Sequence, residues 1–232
     1  MKGLIYSWLI TRKNYFIIGG VLFVFACTGM LLVLPNIDFS ENGDPSLTLA
    51  ANFISFLLSA AALICSAESL GKDLEGMIKS RFADYSLTAG ISCKRFTDIL
   101  LVRNLICLGI SFAEGFALMF IYLFASGQQV TAELIMFVPC VVFFIHSIDY
   151  WVTPLVIKIK SAEKAGLVLG IVMGFIIFCI VITNNTISSD GSGMIVFSFD
   201  LISEIVITSL LAASYIPTYF ICLRFIKGGD MC

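Results

Sequence analysis

Charge is what this chain has least of. Lys, Arg, Asp and Glu make up 13% of its 232 residues, about half the quarter usual in soluble domains. Hydrophobic residues make up 59%. One soluble core cannot hide that much apolar surface, and the chain reads as an integral membrane protein. The net charge of −2 comes without any basic patch interleaved with aromatics, so no nucleic-acid partner is expected. The signatures of an engine are missing too. Gly71-Lys72-Asp73 lacks the earlier glycine and the hydroxyl residue of a phosphate loop. There is no HExxH and no nucleophile elbow, so no catalytic residue is assigned. Nor are there the inverted repeats with paired broken helices that many ion-coupled carriers show. Eight cysteines, Cys27, Cys65, Cys93, Cys107, Cys140, Cys179, Cys222 and Cys232, form no CxxC pair and lie mostly within apolar runs. They indicate neither a metal site nor a disulfide framework and read as small packing residues.

What is there is a series of long apolar runs. A spanning helix needs about twenty such residues. Six runs qualify, over 15–34, 48–67, 99–124, 133–156, 165–183 and 199–223. Between them lie 35-PNIDFSENGDPS-46, 125-ASGQQVT-131 and the Gly/Ser/Asn-rich 184-NNTISSDGSGM-194. Ahead of the first run, 1-MKGLIYSWLITRKNYF-16 has a short apolar stretch interrupted by Arg12 and Lys13, with no early cleavage site. Residues 2–12 are read as an interfacial helix, with Tyr6 and Trp8 at headgroup level. The basic residues then set the topology. Lys2, Arg12 and Lys13 precede the first run. Lys72, Lys79, Arg81, Lys94, Arg95 and Arg103 follow the second. Lys158, Lys160 and Lys164 follow the fourth, and Arg224 and Lys227 follow the sixth. These are all fourteen, and all fall on one side. The expected fold is therefore all-α, six spans in one domain with both termini cytoplasmic.

Three groups of residues invite a functional reading. The first is the cytoplasmic segment 70–98, where Lys72, Asp73, Glu75, Lys79, Arg81 and Asp84 mix both signs of charge around a helical spacing of Leu74, Met77, Ile78, Phe82 and Leu87. It suits either an amphipathic helix lying on lipid or a docking surface for a soluble partner. The second is a set of polar groups inside or beside the spans. His146, the sole histidine, shares a helix face with Asp149 three residues on. The pair suits a proton relay or a metal, or else a packed contact between helices. Glu114 falls midway along the third span and Glu204 in the outer part of the sixth. A central carboxylate costs about 2.5–3.5 kcal/mol to insert, so Glu114 is expected to face protein or a wet cavity, as a packing group or as the lining of a path. The third is the stripe Gly166, Gly170 and Gly174 in 166-GLVLGIVMG-174, two overlapping GxxxG units that admit a second backbone closely.

Taken together, the short amphipathic N-terminus, the six runs and the long charged loop after the second resemble small ABC-2-type transporter permeases. The segment 86-SLTAGISCKRFTDILLVRN-104 is similar to that family's S-L-P-[VI]-S-R-x-x-[FY]-[VI] stretch, and 154-PLVIKIKSAEKAG-166 to its inner loop after the fourth span. Thr88-Ala89 and Ser161 depart from the pattern. The resemblance implies a dimer of permeases, here a homodimer, in the bacterial cytoplasmic membrane. Each copy would bind one of two separately encoded ATPase subunits, which carry the ATP and magnesium; no cofactor is expected in this chain. The loop at 70–98 would be the coupling segment seated on the ATPase. Small members of this kind include exporters of amphipathic and antimicrobial peptides, phenol-soluble modulins among them, and such peptides or similar hydrophobic compounds are the implied cargo. An ion-coupled carrier built on Glu114, His146 and Asp149, and a non-transporting membrane scaffold, are the alternatives.

Overall fold

The computed structural model describes residues 13–37, 70–80, 91–127, 129–183 and 201–228. Among these there are helices and no strands. They are α1 (Lys13–Val33), closed by a 3-10 turn over Leu34–Asn36, then α2 (Leu70–Lys79), α3 (Cys93–Ser126), α4 (Ala132–Ile159), α5 (Ala162–Thr183), α6 (Leu201–Ala213) and α7 (Tyr215–Lys227). Four stretches are long and apolar enough to cross a membrane: Phe16–Asn36, Cys93–Ser126, Ile135–Ile159 and Leu201–Lys227. They contain the runs expected at 15–34, 99–124, 133–156 and 199–223 almost whole, and the run at 165–183 lies within the 22-residue α5. The interfacial helix 2–12 and the run 48–67 lie outside the described residues.

Local chemistry sets the helix ends. α3 begins where Ser92, in extended conformation, accepts the Arg95 N–H on its hydroxyl at 3.3 Å. It ends where Gly127 takes a left-handed φ of 67° and returns its N–H to the Leu123 carbonyl at 3.0 Å. Between α4 and α5 the chain turns at Lys160, whose φ is 60°. Its N–H closes on the Val156 carbonyl at 2.7 Å, and Ser161 then accepts the Lys164 N–H at 3.4 Å to start α5. The run expected as one span at 199–223 lies almost whole within the stretch Leu201–Lys227, and its helix is interrupted at Ser214. Pro217 has no N–H to give the Ala213 carbonyl, four residues back. Ser214 Oγ bonds back to the Leu211 carbonyl at 2.6 Å and receives the Trp151 Nε1–H at 2.9 Å, which fixes the break against α4.

Packing shows which ends lie together. Val138 and Val142 of α4 meet Met119 and Leu123 of α3, while Val156 and Ile157 meet Phe96 and Leu100. The two helices are therefore antiparallel. The C-terminal part of α1, with Met30 and Leu34, meets Leu118 and Ala125, so α1 runs parallel to α3. Leu74 of α2, Ala165 of α5 and Cys222 and Ile226 of α7 join the Phe96–Ile157 cluster. The basic ends of α3, α4, α5 and α7 thus converge on one end of the bundle, and α2 lies across it. Outward, large apolar side chains such as Phe25, Leu32, Ile171, Leu210 and Phe220 are exposed, and Phe124 is 83% exposed. In water such a surface would demand cover; in lipid it is at home. Two polar groups on that surface bond back one turn along the chain: Thr28 Oγ1 donates to the Val24 carbonyl at 2.8 Å and Asn36 Nδ2 to that of Leu32 at 2.7 Å.

Candidate functional site

At the basic end α2 is held by three contacts. Leu74 is fully buried among Phe96, Val156, Ile157 and Ala165. Asp73 pairs with Arg103, a residue that stands ten positions into α3, about 15 Å along its axis, and is only 1% exposed. Leaving that charge unpaired would be costly, so Asp73 is part of what permits an arginine there. Glu75 makes the third contact. One carboxylate oxygen accepts the Ala162 N–H at 2.8 Å, and Ala162 is the first residue of α5. An anion there satisfies an orphan donor and sits at the positive end of the helix dipole. The other oxygen pairs with Lys79, one turn along α2. The Lys79 ammonium and then the Ala162 N–H hold the Glu75 carboxyl below its ordinary value.

The candidate coupling residues therefore divide. Asp73 and Glu75 face inward and fasten α2 to α3 and α5. Lys79 is exposed, with Gly76 and Ser80 beside it, on the outward side. Lys72 lies within α2; Arg81 and Asp84 lie outside the described residues. Sequence spacing alone found the apolar face of α2 but not its partners. The hint was an acid one turn before a lysine, with a Ser-Ala-Glu helix start elsewhere that needed an acceptor.

The intramembrane candidates do not gather into one centre. Among the described residues no three His, Cys, Asp or Glu side chains come together as a metal site. His146 is fully buried, and its Nε2 lies 2.8 Å from Ser111 Oγ on α3. Asn104 Nδ2 donates to the His146 carbonyl at 3.4 Å. Asp149 is half-buried and acts electrostatically on Tyr215 of α7. Glu114 is half-buried, one turn beyond Ser111. Glu204 is buried early in α6, close to Cys140 of α4. Ser111 and Asn104 were missed in the sequence because small polar residues inside a span carry no signal until a partner helix is known. Gly166, Gly170 and Gly174 are exposed on α5, and a Cβ added at any of them meets nothing within 4 Å. No other described helix packs on the stripe.

Compared with protein-family models, with curated proteins and with solved structures, the chain finds no match in any of the three.

Proposed function

We propose that the chain is the permease subunit of an ATP-driven ABC-2-type exporter in a bacterial plasma membrane, with six spans and both termini in the cytoplasm. Two copies pair, and each seats a separate ATPase subunit that binds ATP and magnesium and performs the hydrolysis. The cargo is an amphipathic or antimicrobial peptide or a similar hydrophobic compound. The observation that carries this reading is the placement of α2. It is a short helix outside the apolar spans, fastened by Asp73 to Arg103 of α3 and by Glu75 to the first turn of α5, with Lys79 turned outward. A push on its outer face reaches two long helices through charged contacts, as a coupling segment requires. Holding α2 on its own bundle also accounts for much of its apolar face without lipid.

The test is a charge reversal of Lys79, Arg81 and Asp84 together. Co-purification of an ATPase subunit and stimulated ATP hydrolysis should both be lost while membrane insertion persists. An intact complex would count against docking through this segment. The fully buried His146 in α4 favours one second reading, a carrier driven by an ion gradient. Transport into vesicles driven by a proton gradient without nucleotide would decide for it.

A further inference from the structure

The facing stripes of α3 and α4 carry polar side chains where lipid-embedded helices usually place small or apolar ones. On α3 they are Thr97, Asn104 and Ser111, seven residues apart; on α4 they are His146, Tyr150 and Thr153. All six are at most 2% exposed. Part of their hydrogen bonding is internal. Thr97 Oγ1 donates to the Cys93 carbonyl at 2.9 Å, Ser111 meets His146, and the Asn104 amide donates to the His146 carbonyl. Four atoms are left without a protein partner: Asn104 Oδ1, His146 Nδ1, Tyr150 OH and Thr153 Oγ1. Four orphans on one seam is more than buried polar groups normally tolerate.

We infer that the α3–α4 seam is an internal water-binding site, where ordered waters satisfy these four atoms. The Asn104 amide, bonded to the His146 carbonyl, sets its Oδ1 beside the first turn of the row. Tyr150 follows one turn nearer the basic end, and Thr153 about another. From 146 to 153 the backbone of the stripe rises about 10.5 Å. The chemistry selects water over an ion. The four orphans are neutral, and they mix acceptors with groups that both donate and accept. A cation would need a carboxylate in the row, and an anion would need a cation. α7 closes the seam on its remaining side, where Tyr215 stacks on Tyr150 with ring centroids 5.0 Å apart. The site stands whether or not the chain works with an ATPase.

The sign of an isosteric deletion tests it. Removing a hydroxyl that has no partner relieves a burden, whereas removing one that bonds a water breaks a bond. In the purified full chain in lipid nanodiscs, Tyr150→Phe and Thr153→Val should each lower Tm by about 2–4 °C. An unchanged or raised Tm for both overturns the site. A second measurement uses the unaltered protein. Radiolytic hydroxyl-radical footprinting should modify Tyr150 and His146 well above Phe124, which faces lipid. Modification of Tyr150 and His146 no greater than that of Phe124 means a dry seam and sinks the proposal.

Discussion

Arg103 is the side chain whose loss of partner should matter most. It is almost fully buried, and Asp73 reaches it from a separate helix thirty positions earlier. Asp73→Asn removes a counter-charge from the buried guanidinium and should cost about 2–4 kcal/mol, somewhat under the full value for a wholly buried pair because Asp73 is partly exposed. Pairing it with Arg103→Met should recover most of the loss, a coupling that thermal unfolding of the four proteins in detergent would measure. The pair was not legible in the sequence, because no local rule links two charges so far apart. Glu75 carries the pH dependence. Its folded carboxyl is held low by Lys79 and the Ala162 N–H, so its stabilisation is complete above the ordinary carboxylate range and is lost as pH falls through the lowered value. The hydrogen-exchange protection of the Ala162 amide, corrected for intrinsic rate, should therefore fall on acidification. Glu75→Ala should already show weak protection at neutral pH. Strong, pH-independent protection in both proteins would mean that Glu75 does not hold α5.

At the scale of elements, the long apolar runs were readable because a spanning helix has a length set by the bilayer and needs no partner to define it. The ends were less so. α3 starts six residues before its apolar run at 99 and α4 continues past its run to Ile159, since a cap at Ser92 and the left-handed Lys160, rather than hydropathy, decide where these helices stop. The break in the last span had a readable cause in Pro217, but apolar periodicity continues through it and hid it. What fixes the break is Trp151 on α4, donating to Ser214. Ser214→Ala should leave the indole N–H without that acceptor and cost about 1–3 kcal/mol, read as a lowered unfolding midpoint. Pro217→Ala restores the missing donor, and the amide of residue 217 should then be protected from exchange by the Ala213 carbonyl. An exposed amide there would mean that Trp151 and Ser214 hold the bend without help from the proline.

Of the fourteen basic residues that the sequence places on one side, those on α3, α4, α5 and α7 do gather towards one end of the bundle, because the helix ends that carry them pack together with Leu74. The glycine stripe of α5 could not be placed from its spacing, which fits packing within one chain and between two chains equally. Among the described residues each of Gly166, Gly170 and Gly174 is exposed, with nothing within 4 Å of an added Cβ. A groove that no described helix of its own chain fills is available to a second copy. It runs about 12 Å from Gly166 through Gly170 to Gly174, at 1.5 Å per residue, and in lipid such close backbone approach replaces the hydrophobic drive. Under the proposed homodimer, Gly170→Leu should yield an inserted, folded monomer in native mass spectrometry. Its unfolding midpoint in detergent should match or exceed that of the unaltered monomer, because leucine is the better helix former and meets no clash among the described residues. Dimers that persist with Gly170→Leu would place the seam on another face and leave this stripe to lipid.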